Sequence, residues 1–197
     1  NIINNLYLLM PKYFKKLNED LSPSLISDCS ILFYCFGRLL HANVYNERIK
    51  KMIKNLDPYI CSIIPYYNLN KILMANSLSY MNEILENESV KKYIKILYDA
   101  VEYENLVKEI DRDINSFNFG WCNALINIAI AVKYIDDNEK VLMLYSQKNK
   151  ISRYADSCIN DILTSEKNIV KVDFINGISG LSFALSMLLR LNTISLD

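Results

Sequence analysis

Glycine and proline are scarce in this chain, with four of each in 197 residues. Average usage would supply about three times as many glycines, so long helices joined by few sharp turns are expected. Histidine occurs once, at His41, and no glycine-rich loop is present. A Ser/His/Asp set therefore cannot be assembled around a histidine so placed, and no loop can cradle a phosphate. Net charge is absent as well: 22 basic residues balance 22 acidic ones, without a dense basic stripe. That balance gives no support to nucleic acid as a partner. No CxxC pair occurs among the five cysteines, Cys29, Cys35, Cys61, Cys122 and Cys158. The expectation is of reduced, buried thiols in a cytoplasmic protein. Arg38 and Arg190 interrupt the first and last of the long apolar runs. None reaches the roughly 18 residues that would span a bilayer, and no secretory signal is visible.

What remains is apolar and helical in pattern. Hydrophobic residues make up 51% of the chain, enough for one buried core, and residues 1–197 read as a single domain. The sequence opens at Asn1 without methionine, consistent with a piece of something longer.

Two kinds of helix alternate at a 3.6-residue period. One is amphipathic: Val44, Ile49, Met52, Ile53 and Leu56 form a stripe that Asp57-Pro58 is expected to end, because proline cannot continue a helix. The other is apolar nearly all round, as in SLISDCSILFYCFGRLL from Ser24 to Leu40, and such a helix belongs inside. Expected helices cover 3–17 and 24–40, 43–56 and 68–85, 90–114 and 120–135, and 148–165 and 176–191. The segment 136–147 reads as a short helix or a loop, and no strand pattern is sustained. Four outer/inner pairs point to an all-α fold, an α/α array of hairpins whose inner helices pack around an axis. Comparable points of the inner helices fall at Asp28, Asn68, Ala124 and Gly177. On this reading the inner-helix ends converge on one face.

Other clusters carry less. Glu109, Asp111 and Asp113 read as a solvated helix end, and DNEK at 137–140 as helix-start chemistry. Tyr13, Tyr66 and Tyr67 could line a peptide groove or simply pack.

Two stretches carry a resemblance. WCNALINIA, from Trp121, resembles the W-C-N/H/Y-G-x-P-G-I-A stretch of the LanC-like (lanthionine synthetase C-like) cyclases, and FINGISGLSFAL, from Phe174, resembles their C-H-G-x-x-G stretch. The resemblance covers roughly 117–191, extends to 22–56, and is faint between. It implies an α/α toroid of seven inner and seven outer helices. It also implies ring closure in ribosomally made peptides, in which zinc held by two cysteines and a histidine activates a peptide thiolate for addition to a dehydrated serine or threonine. Thiolates are soft ligands that suit zinc.

Carried over, Cys122 matches the first zinc cysteine, Ile175 stands in place of the second and Asn176 in place of the histidine. Isoleucine cannot bind a metal and an asparagine amide is a poor zinc ligand. No bound metal is therefore expected. Ala124, Ile126 and Asn127 also replace the motif's glycines and proline, and four hairpins cannot close a seven-hairpin ring. The array is then open, contracted or completed by another chain, with homo- or hetero-oligomers as candidates.

Three functions follow. The first is a degenerate, zinc-free LanC-like protein that binds a precursor peptide or a modifying enzyme. Its groove would be bordered by Trp121, Asn123, Asn176, Gly177 and Asp28. The second is a zinc-free cyclase or lyase using Cys122 as nucleophile or relay, since a helix N-terminus favours the thiolate. The third is a helical-repeat interaction module unrelated to peptide modification.

Overall fold

A computed structural model describes residues 22–61 and 64–105, and the isolated positions 5, 127, 130, 131, 133–135, 160, 179 and 182. Two compact units divide the chain, Asn1–Val101 and Glu102–Asp197. Among the described residues the first holds four helices: α1 (Pro23–His41), α2 (Asn46–Ile60), α3 (Asn68–Leu85) and α4 (Glu88–Asp99). Among the described residues every regular element is helical. The expected helices at 3–17, 148–165 and 176–191, and the segment 136–147, lie outside the described residues apart from isolated positions. In the second unit the backbone is helical at Asn127, Ile130 and Ala131, all buried, and turns at 133–134. The helix expected to run to 135 therefore ends earlier.

α1 starts where Pro23 supplies a helical φ at no cost in lost N–H bonds. Its buried hydroxyls bond backward within the helix, Ser27 Oγ to Pro23 O at 2.9 Å and Ser30 Oγ to Ile26 O at 2.9 Å. Ile26, Cys29, Phe33, Phe36 and Leu40 are buried, while Asp28, Cys35 and Arg38 face water. Asn43, at φ 55° in the left-handed region, ends the helix. The Asn43 N–H donates to Leu40 O and the Val44 N–H to Leu39 O, the paired bonds of a Schellman motif. Tyr45 is also left-handed, at φ 58°, so α2 starts at Asn46 and not at 43. Val44 is thereby left exposed in the loop instead of joining the α2 stripe.

The expected stop at Asp57-Pro58 does not occur. Proline deletes one N–H, but the Cys61 N–H still donates to Asp57 O at 2.9 Å, and Ile60 is fully buried beyond it. Burial of that side chain offsets the missing bond.

α3 matches its expected limits of 68 and 85 and is the most buried element, with Asn70 and every residue from Ile72 to Met81 out of water. Glu86 in the left-handed region and Asn87 turn the chain directly into α4. Asn82 Oδ1 accepts the Asn87 N–H, and Asn87 Oδ1 accepts those of Ser89 and Val90 as an N-cap. The helix expected over 90–114 spans Glu88–Asp99 instead. Lys71 Nζ donates to Ala100 O at 2.9 Å and the Val101 N–H donates to Tyr98 O, so the end carbonyls are satisfied without a glycine.

Directions follow from the contacts. Asn70 Nδ2 at the start of α3 donates to Pro23 O at the start of α1, and His41 at the end of α1 meets Tyr80 and Glu83 near the end of α3. α1 and α3 are therefore parallel neighbours. α4 runs back along α3, since its end reaches Lys71 and its middle reaches Met74 through Tyr93. Asn70 lies beside Ser27, an offset of 43 residues. The sequence comparison that set Asp28 against Asn68 is thus about one turn out of register, and Asp28 is an exposed residue inside α1, not at a helix head.

Candidate functional site at the seam of α1 and α3

Helical geometry sets Tyr34, Arg38 and His41 along one side of α1, because residues three, four and seven apart share a face. Gly37 lies among them and leaves a notch. A Cβ there would meet Tyr80 Cδ1 at 2.7 Å and the Met81 Cα at 3.2 Å. Tyr80 of α3 fills the notch. Its ring stacks on Tyr34 on one side (centroids 4.8 Å apart, 13° between planes) and on His41 on the other (4.4 Å, 15°). The three rings lock the helices together at aromatic stacking distances.

The polar ends of these rings differ. His41 Nε2 lies 3.2 Å from Tyr80 O and 3.3 Å from Glu83 Oε2, so the histidine is spoken for at the surface. Tyr34 is buried, and loss of water, then the neighbouring Tyr80, pushes its phenol above the usual range, against a lowering by Arg38. The phenols of Tyr34 and then Tyr80 in turn favour the charged guanidinium of Arg38, against desolvation. The guanidinium thus lies against both phenols, yet the buried Tyr80 hydroxyl makes no well-formed hydrogen bond. Among the described residues no carboxylate pairs with Arg38.

A second polar group is sealed between α3 and α4. Tyr98 Oη donates to Asn76 Oδ1 at 2.9 Å and lies 3.4 Å from Ser79 Oγ, all buried. These bonds run between buried side chains.

Three described cysteines are thiols outside any disulfide: Cys29 is buried as expected, Cys61 is partly covered, and Cys35 is exposed against expectation. Cys35 sits on the water-facing side of α1, a side that reading this helix as apolar nearly all round did not allow for. Cys61 Sγ donates to Asp57 Oδ1 at 3.1 Å. Burial, then the Asp57 carboxylate, pushes the thiol from 9.0 up to about 12. A raised folded value means that stability is fully present below the ordinary thiol pKa and is lost as pH rises from there through about 12. Native Cys61 should accordingly alkylate slowly with iodoacetamide at mildly alkaline pH and much faster in urea. Equal rates, read by peptide mass mapping, would show that neither burial nor Asp57 restrains it.

Of the residues singled out from sequence, Trp121, Cys122, Asn123, Asn176 and Gly177 lie outside the described residues. Asp28 is described and lies exposed on α1, six residues before Tyr34. Tyr66 and Tyr67 are exposed in the segment entering α3. Sequence reading missed Tyr34, Gly37, Arg38, Tyr80 and Glu83. The only available signal was the spacing of the α1 members. Among the described residues no three His, Cys, Asp or Glu side chains gather to hold a metal ion, and no helix is long and apolar enough to cross a membrane. No family model matches the chain, and no curated protein or solved structure matches it.

Proposed function

We propose that this chain is a degenerate LanC-like protein that holds a precursor peptide or the enzyme that modifies it, without a zinc ion. The observation that supports this best is the parallel packing of α1 and α3 with α4 folded back along α3. Parallel inner helices, each followed by a returning outer one, are the repeating unit that an α/α toroid requires. An open or contracted ring of such units, bordered by Trp121, Cys122, Asn123, Asn176 and Gly177, would present a concave face to an extended peptide.

The zinc of the family does not fit the donor set. Cys122 offers one thiolate, Ile175 offers nothing, and the Asn176 amide is a weak donor. No step is therefore assigned to a metal. Exposed Ile64, Tyr66 and Tyr67 at the entrance to α3 supply apolar contact area of the kind that peptide-binding surfaces use.

Purification in zinc-containing buffer followed by elemental analysis is expected to give far less than one zinc per chain. Fluorescence anisotropy with labelled peptides rich in cysteine, serine and threonine should show binding that a chelator does not change. Stoichiometric zinc that disappears in Cys122→Ser would overturn the zinc-free reading. Absence of binding to any such peptide, with the fold intact, would overturn the peptide-holding one.

A further inference from the structure

The cluster of Arg38, Tyr34 and Tyr80 is rich in donors and short of an acceptor. Arginine presents five N–H groups and accepts nothing, so the Tyr34 oxygen is the one acceptor within the cluster for the Tyr80 proton, and it does not take that proton in good geometry. The Tyr80 hydroxyl is buried with that proton unspent, and Tyr80 as a whole is 8% exposed. Leaving such a group unsatisfied is costly, and buried polar groups are paired in the great majority of cases. The outer side of Arg38 is open to water and, among the described residues, no carboxylate meets it.

We propose that Arg38 and Tyr80, on the Tyr34–Tyr80 stack, form a binding site for a carboxylate monoanion. The planar fork of a guanidinium matches two carboxylate oxygens, and a phenol O–H adds a third donor beside it. Long and exposed, the Arg38 side chain can shift by a rotamer so that one oxygen meets the fork and the Tyr80 hydroxyl together. Charge selects the class of ligand. Among the described residues Arg38 is the one cation turned toward the phenols, and His41 on the far face of Tyr80 is already beside Glu83. A dianionic phosphate would find one positive charge for its two negative ones, with Glu83 nearby. Gly37 gives the site its rigidity, because the notch fixes the Tyr80 ring between Tyr34 and His41. This site stands apart from the zinc-free peptide reading and does not depend on it.

The test follows the Nε–Hε signal of Arg38 by heteronuclear NMR in the full chain, assigned by its loss in Arg38→Gln. Sodium acetate, inorganic phosphate and sodium chloride are titrated at matched ionic strength. Acetate is expected to move the signal saturably, phosphate more weakly, and chloride not at all. Apparent acetate affinity, followed on neighbouring backbone amides, should fall about tenfold or more in Arg38→Gln. It should fall several-fold in Tyr80→Phe, which keeps the stack and the fold and removes only the hydroxyl. A tripeptide with a free C-terminus is expected to bind and its amide is not, which separates a peptide carboxylate from a small acid as the source; equal binding of the amide would overturn recognition of a carboxylate. No saturable acetate response, an unchanged affinity in Tyr80→Phe, or tighter binding of phosphate than acetate would each overturn the assignment. Failure of the peptide reading leaves the acetate titration unaffected.

Discussion

Gly37→Leu should destabilise the first unit by about 3 kcal/mol, the upper part of the usual overpacking range, and Gly37→Ala by about half as much. The notch is already full, since an added Cβ would stand 2.7 Å from Tyr80 Cδ1 and 3.1 Å from Cε1. A ring end can ordinarily swing aside. Here Tyr34 and His41 hold it from both faces at stacking distance, so the ring has nowhere to go. The backbone contact is firmer still: Met81 Cα at 3.2 Å obliges α1 and α3 to separate by a few tenths of an ångström. Alanine recovers about 1 kcal/mol of helix propensity over glycine, which offsets part of its cost. Leucine recovers nearly as much propensity, but its added bulk outweighs that gain. Urea denaturation of the two variants measures the difference, and Tyr80→Ala in the same background should relieve much of the penalty. If Gly37→Ala stabilises the protein instead, the helices are not in close contact at this point.

The second large effect is expected at Asn76, which is 1% exposed and accepts the Tyr98 phenol proton at 2.9 Å. Asn76→Ala removes the acceptor but leaves the hydroxyl buried, at a cost of about 2–3 kcal/mol from the lost bond and the stranded donor together. Tyr98→Phe removes only the hydroxyl and should cost about 1 kcal/mol. Combining the two should therefore cost less than the sum of the singles, because the phenylalanine has no proton to strand. Strict additivity in denaturant melts would mean that Asn76 and Tyr98 act independently and that the bond carries no weight.

Much of this unit was legible in sequence, for reasons that can be traced to residues. The α2 stripe Ile49, Met52, Ile53 and Leu56 is buried as its period implies, and the limits of α3 agree with the apolar run that marks it. Breakers were read too literally. Pro58 was expected to end α2, yet a buried Ile60 carries the helix past it, and Asp99 ends α4 with no glycine or proline to announce it. Lys71, 29 residues earlier in the chain, caps that end, and no local pattern can reveal such a partner. The polar residues of α3 point to the same limit. Asn70, Asn76 and Ser79 lower the hydropathy of a helix that is nonetheless the most buried of those described, because their partners are on α1 and α4, while the Ser77 hydroxyl is buried without a hydrogen-bond partner among the described residues. The α1/α3 cluster was least legible of all. Tyr34 and Arg38 sit one turn apart on α1, but Tyr80 reaches them only through a packing register that the sequence comparison placed about three residues off. The motif residues Trp121, Cys122, Asn176 and Gly177 lie outside the described residues and were read from resemblance alone.

Glu86 and Asn87 are the entire connection between α3 and α4, whereas the Ser27–Asn70 contact between α1 and α3 closes a span of 43 residues. Chain entropy treats the two unequally. By the logarithmic dependence on loop length, bringing α1 to α3 costs roughly 2–3 kcal/mol more than turning the corner into α4. The α3–α4 hairpin is thus the least expensive piece of the described fold to close, and α1 is the piece held on by side chains alone. Phe33, Phe36 and the three stacked rings have to supply that difference, so the attachment of α1 depends on the same few aromatic side chains that build the notch around Gly37.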